Sequence, residues 1–247
     1  MLSTNGRAEL SVDRIKKSFD NKEVIRDVSM NIKTSEVVGI LGPNGAGKTT
    51  TFYLIAGLIK PDAGKILLDN EDVTKYPLYK RARLGISYLP QEASIFRKLT
   101  VRENILAILE MQPISDDEKE KRLKETFLEF DLEPLSDKQG YVLSGGERRR
   151  VEIARALVTH PRFLLMDEPF AGVDPIKVSG IQTEIKRLRD KGLGIIITDH
   201  NVRETLPITD RSYILADGEI KREGPPQKLA EDDLVKKIYL GDNFKLE

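Results

Sequence analysis

The chain has no cysteine. That excludes a disulfide framework and any thiolate metal site, and it suits a reducing compartment. Nor is there an excess of charge of either sign: 40 basic residues balance 40 acidic ones. No bulk field therefore draws the chain to nucleic acid or to an anionic lipid surface. Long apolar runs are missing too. Stretches such as Phe163–Met166 and Gly194–Ile197 fall far short of the ~20 residues that cross a membrane as a helix. Met1–Leu10 lacks the basic-then-apolar pattern of a secretory signal. Histidine is scarce, with two copies. His160 precedes Pro161 and reads as a loop residue, which leaves His200 as the one of chemical interest. The expectation is a soluble intracellular chain that reaches a membrane only through a partner. Its 247 residues suffice for one large domain or two small ones.

What is present begins with Leu41-Gly42-Pro43-Asn44-Gly45-Ala46-Gly47-Lys48-Thr49-Thr50. This stretch contains Gly-x-x-x-x-Gly-Lys-Thr, the phosphate-binding loop of nucleotide hydrolases. An apolar run, Val37–Leu41, precedes it as a buried strand, and Thr50–Leu58 follows as a helix. Glycines let the backbone turn its N–H groups inward onto phosphate oxygens, and the helix N-terminus adds partial positive charge. Lys48 then neutralises the β- and γ-phosphates, and the Thr49 hydroxyl binds Mg²⁺.

The rest of the pattern alternates. Residues 7–41 read as strands, with Leu10 and Val12, then Val28, Met30 and Ile32, on one face and a turn near Asn21-Lys22. Lys65–Leu68 and Ile86–Leu89 are further strands. Residues 92 to about 142 turn helical, with Leu123, Phe127 and Phe130 on one face. Gly145–Thr159 is a helix, Phe163–Met166 a buried strand, Val178–Lys191 a helix and Gly194–Thr198 a buried strand. Such alternation predicts an α/β fold with a parallel sheet covered on both faces. After Gly224-Pro225-Pro226, the residues Ala230, Leu234 and Ile238 predict one more amphipathic helix.

Two carboxylates end an apolar strand in Phe163-Leu164-Leu165-Met166-Asp167-Glu168. Strand C-terminal ends form the ligand crevice of a parallel sheet, so Asp167 is placed to hold Mg²⁺ through water. Glu168 points elsewhere and suits a general base for the attacking water. Leu143-Ser144-Gly145-Gly146-Glu147 opens a helix, so Ser144 and the glycine N–H groups form a second anion site. One nucleotide needs one phosphate loop, and a second phosphate-facing helix start implies that two copies share each nucleotide. Arg148-Arg149-Arg150 alternates with Val151, Ala154 and Leu157, so most of these charges read as a solvated face, not a nucleic-acid patch.

The pentapeptide 143–147 resembles the signature of ATP-binding cassette (ABC) proteins, and the order of stations matches over nearly the whole chain. The resemblance implies a RecA-like phosphate-loop ATPase core with an N-terminal antiparallel β subdomain and an inserted α-helical subdomain at about 92–142. The whole is a single domain over 7–241, with a C-terminal tail over 225–247. It implies ATP and Mg²⁺ as cofactors and a head-to-tail dimer. Gln91 is similar to the glutamine that reaches Mg²⁺ and the attacking water, and His200 to the switch histidine on the γ-phosphate. Asp174, in Ala171-Gly172-Val173-Asp174, is similar to the residue that crosses the dimer interface. Phe19 stands where the family stacks an aromatic ring, more usually Tyr, on adenine.

Within the family, residues 88–105, and Glu92-Ala93-Ser94-Ile95-Phe96-Arg97 above all, resemble the cassettes of lipopolysaccharide exporters, as do Phe170 and the segment 238–244. This implies an ATPase that powers extraction and export of lipopolysaccharide from the inner membrane. The resemblance further implies two integral membrane permease subunits docking near Phe96 and Arg97. The tail residues Tyr239 and Phe244 are expected to pack across the dimer. The chain would sit on the cytoplasmic face of the membrane without inserting, and without a nucleic-acid partner. The nearest rival is the cassette of a branched-chain amino-acid importer. A rival of another class is a soluble cassette acting on nucleic acid or ribosomes.

Overall fold

The computed structural model describes residues 7–20, 22–241, 244 and 246, with only the backbone for 175–177. Asn21, Asp242 and Asn243 lie outside the described residues. A sheet of ten strands organises the chain. The antiparallel part contains β1 (Glu9–Phe19), β2 (Lys22–Lys33), β4 (Ala63–Leu68) and the short β5 (Glu71–Asp72). The parallel part is built from β3 (Val37–Leu41), β6 (Ile86–Leu89), β7 (Phe163–Asp167), β8 (Gly194–Thr198) and β9 (Arg211–Ala216), with β10 (Glu219–Gly224) antiparallel to β9. The strand order is β5-β4-β1-β2-β10-β9-β3-β8-β7-β6. β10 joins the halves through one parallel pairing with β2, Glu219 with Asp27.

The central strands are buried along their full length, as their unbroken apolar sequences require. Their side chains alternate between two cores. Leu164 and Met166 of β7, with Ile195 and Ile197 of β8, face a helical layer. That layer is α3 (Val101–Glu110), α4 (Asp116–Glu129), α5 (Gly145–Leu157) and α6 (Pro175–Asp190). Phe163, Leu165 and Ile196 face the other way, onto α1 (Lys48–Ala56) and the antiparallel strands. The end of α1 is held by Arg81 of α2 (Leu78–Arg83). Its fully buried guanidinium donates to the carbonyls of Leu54 (2.6 Å), Ile55 (2.7 Å), Tyr76 (2.9 Å) and Thr74 (2.9 Å). These include helix C-terminal carbonyls that have no partner within the helix.

The structure departs from the sequence pattern in four places. Residues 92–100 are a loop, not helix, because buried side chains hold their backbone. Asn104 accepts from Phe96 N (2.9 Å) and donates to the Phe96 and Thr100 carbonyls, and Glu152 accepts from Ser94 N (2.8 Å). Arg149 is not on a solvated face: it is largely buried, pairs with Glu152 at 3.6 Å and donates to the Pro90 carbonyl. β9, β10 and α2 had no counterpart in the sequence reading. The C-terminal helix is broken into α8 (Pro226–Glu231), α9 (Asp233–Val235) and a π-type turn, Lys236–Leu240. A short α7 (Val202–Thr205) follows β8. No helix among the described residues is long and apolar enough to cross a membrane.

Candidate nucleotide site

Because β3, β6, β7 and β8 run parallel, their carboxyl ends lie along one edge. The phosphate loop leaves β3 there. Gly42 is a glycine of necessity, since a Cβ on it would stand 1.9 Å from the Leu215 carbonyl oxygen. Lys48 opens α1 and folds back onto the loop, donating to the carbonyls of Gly42 (2.8 Å) and Pro43 (3.0 Å). Burial lowers its pKa, while the carboxylates of Glu168 and Asp199 oppose the shift. Thr49 is exposed and Thr50 half-buried in the first turn of α1.

Asp167 ends β7 at 3% exposure and accepts from the Tyr88 hydroxyl at 3.1 Å. Burial raises its pKa, the Tyr88 bond opposes this, and the neighbouring charges of Glu168 and Asp199 add to it. Glu168 turns away with a left-handed φ of 45°, its N–H bonded to the Thr198 carbonyl at 2.7 Å. Its Oε2 accepts from Gln91 Nε2 at 2.7 Å and lies 3.2 Å from His200 Nδ1. Three residues from the ends of three strands thus meet on one oxygen. Asp199, fully buried, ties the loop together by accepting from Phe170 N (3.0 Å) and Asn201 N (2.8 Å). Burial raises its pKa as well, opposed first by those two amide bonds.

Ser144 caps α5, accepting from Glu147 N at 3.4 Å while Glu147 accepts from Ser144 N at 2.8 Å. This reciprocal cap fixes the helix start. Gly145 and Gly146 line a cavity of about 790 Å³ with Gln91, Glu168 and Asp174, and the phosphate loop is not in its wall. Phe19, at the end of β1, is 44% exposed with the Lys17 ammonium 5.5 Å from its ring centroid. Phe96 is 45% exposed, the Arg155 guanidinium lies 4.8 Å from its ring centroid, and Arg97 beside it is exposed. Tyr239 and Phe244 pack in a cluster of their own chain with Leu41, Leu206 and Ile214, and Tyr239 stays partly exposed.

A family model described as ABC transporter matches residues 25–171. The chain belongs to the ABC transporter family. The lipopolysaccharide export system ATP-binding protein LptB of Acidithiobacillus ferridurans is 53% identical to this cassette over 237 residues, 96% of this chain and 98% of that one. LptB of Escherichia coli is 51% identical over 240 residues, 97% and 100% of the two chains. A crystal structure of the ADP conformation of MJ1267, an ATP-binding cassette of an ABC transporter, superposes with a TM-score of 0.85 at 30% identity, covering 96% and 100%. The dimeric structure of MJ0796, a bacterial ABC transporter cassette, gives 0.75 at 27% identity, covering 88% and 98%.

The sequence reading passed over Tyr88 and Asp199 in this cassette. Both sit beside named motifs, one in the strand before Gln91 and one before His200, but nothing in the local pattern marks a hydroxyl or carboxylate that a neighbouring strand will cover. No group of three or more His, Cys, Asp or Glu among the described residues could cage a metal. A buried carboxylate whose one direct partner among the described residues is a neutral phenol nevertheless suits a Mg²⁺ that arrives with phosphates and keeps its waters.

Proposed function

We propose that this chain is the ATP-hydrolysing subunit of a transporter that extracts lipopolysaccharide from the inner membrane, working as a head-to-tail pair beneath separate permease subunits. The near-full-length similarity to LptB from two bacteria supports the cargo. The meeting of Gln91 and His200 on one Glu168 oxygen carries the chemistry.

In this reading the phosphates of ATP lie on the free backbone N–H groups of the phosphate loop, in which Pro43 has none to offer. Lys48 exchanges the Gly42 and Pro43 carbonyls for the β- and γ-phosphates. Glu168 accepts a proton from water as the water oxygen bonds to the γ-phosphorus and the bridging oxygen leaves with ADP. Gln91 and His200 orient that carboxylate, and His200 also faces the γ-phosphate. Mg²⁺ would be held by Thr49, Gln91 and, through water, Asp167, and would offset phosphate charge. Ser144, Gly145 and Gly146 of the second copy close over the same γ-phosphate, while Asp174 faces across the interface and Phe19 stacks on adenine. Contacts that exist only with ATP between the copies favour closure, and hydrolysis removes them, which makes a ligand-biased two-state switch. Phe96 is an exposed ring on a loop anchored to α5, a fitting dock for a permease helix, with Arg97 as its polar neighbour.

The test is to purify a tagged chain from native membranes in mild detergent, identify what accompanies it, and assay ATPase activity with and without lipopolysaccharide. Two export-type permeases and a response to lipopolysaccharide are expected. Importer permeases would keep the ATPase chemistry and replace the cargo. No membrane partner would overturn the transport reading.

A further inference from the structure

The edge strand β6 serves both carboxylates at the end of β7. The two strands pair in parallel, with Tyr88 opposite Leu165 and Leu89 opposite Met166. Side chains alternate along a strand, so Asp167 shares the face of Phe163 and Leu165, the one turned to α1. Tyr88 packs on the same cluster, its ring edge-on to Tyr53 of α1 with centroids 6.3 Å apart. Its hydroxyl donates to Asp167 Oδ2 at 3.1 Å. Three residues on, Gln91 Nε2 donates to Glu168 Oε2 at 2.7 Å. One strand and the loop that leaves it thus give a donor to each of two consecutive carboxylates.

The bond from Tyr88 has a consequence for direction. A carboxylate at 3% exposure is costly to bury without a donor, and among the described residues Tyr88 is the side chain that supplies one. The terminal torsion of an aspartate is broad, so a bond to one oxygen decides where the other points. With Oδ2 taken, Oδ1 is left for another donor. The phenol is itself braced, because its ring rests on the helix that carries Lys48 and Thr49.

We propose that Tyr88 is a positioning residue for the metal of the nucleotide site: its hydroxyl fixes the Asp167 carboxylate so that the free oxygen is presented to a water of Mg²⁺. The proposal rests on reading Asp167 as a group that holds Mg²⁺ through water. Partners behind a metal-holding group orient it, and losing one typically lowers metal affinity about 10- to 100-fold.

The experiment measures the affinity of the full chain for ATP in EDTA and again in excess Mg²⁺. Glu168→Gln is present throughout so that the nucleotide is not consumed. This parent is compared with the same chain carrying Tyr88→Phe or Leu123→Ala. Tyr88→Phe keeps the ring against Tyr53 and removes only the hydroxyl. Its affinity in EDTA should match the parent, while the gain on adding Mg²⁺ should shrink by about 10-fold. Leu123→Ala opens a cavity in α4 at a buried position and removes no polar group, so its nucleotide-free Tm should fall while its Mg²⁺ gain holds. A full Mg²⁺ gain in Tyr88→Phe would overturn the proposal. So would an equal loss of that gain in Leu123→Ala, or a loss in EDTA as large as the loss in Mg²⁺. Absence of any Mg²⁺ gain in the parent would be a different failure: it would remove Asp167 from the metal, and the proposal with it.

Discussion

At the scale of single residues, electrostatic cost marks the site. Asp167 is desolvated, with Glu168 and Asp199 nearby, and no cation among the described residues pairs with it directly. Its folded carboxyl binds a proton more tightly than in the unfolded chain. The nucleotide-free protein therefore loses stability as pH rises from about 4 through the raised folded pKa, and the loss is complete above it. Asp167→Asn removes that cost and keeps an acceptor for Tyr88. Its nucleotide-free Tm at pH 7 should exceed wild type by about 2–4 °C per kcal/mol relieved, with the gap closing toward pH 4, as a melting series across pH would record. Hydrolysis should fall sharply in the same variant. Glu168→Gln should retain ATP while turnover drops by about 10²–10⁴-fold, the usual worth of a general base. Binding and phosphate-release assays run side by side check this, and rapid hydrolysis would remove Glu168 from the role.

At the scale of elements, α1 shows how a site residue depends on a distant one. Lys48 opens the helix and Arg81 closes it, so the helix that aims the lysine is held at its far end by a buried guanidinium. Arg81→Met leaves four carbonyls without that donor and should cost at least about 2 kcal/mol in chemical denaturation. The helix end also leaves little room, since a Cβ on Gly57 would stand 2.8 Å from the Tyr76 carbonyl oxygen. Most elements were legible in the sequence because period and strand-end motifs are local. The loop 92–100 was not, because its conformation is imposed by Asn104 and Glu152, which follow it in the chain. Which of the three arginines leaves the solvated face was not legible for a related reason: Arg149 looks like its neighbours until the Pro90 carbonyl and Glu152 are found beside it.

At the scale of the molecule, Gly145 and Gly146 line a cavity whose wall does not include the phosphate loop. A second copy is the economical way to bring a signature onto a phosphate loop, and a two-fold pair makes two equivalent sites. The Glu168→Gln chain should therefore double in mass by light scattering when ATP is added, and an unchanged mass would argue against the sandwich. Phe96→Ala should bind ATP as wild type does and lose its membrane partners in co-purification. Unchanged co-purification would return Phe96 to a packing role with Arg155.

The sequence alone determined the chemistry of the stations. A phosphate loop, a capped helix start and a carboxylate-ended strand are each written in contiguous residues, and their order carries the family. Only the tertiary structure decided what those stations touch. Gln91 and His200 stand 77 and 32 residues from Glu168 along the chain, yet both reach one of its oxygens. Tyr239 packs in one apolar cluster with Leu41, almost two hundred residues before it in the chain. Sequence periodicity says which face of an element is apolar. What covers that face, and which polar groups are buried there without a partner, is settled by strand order and packing.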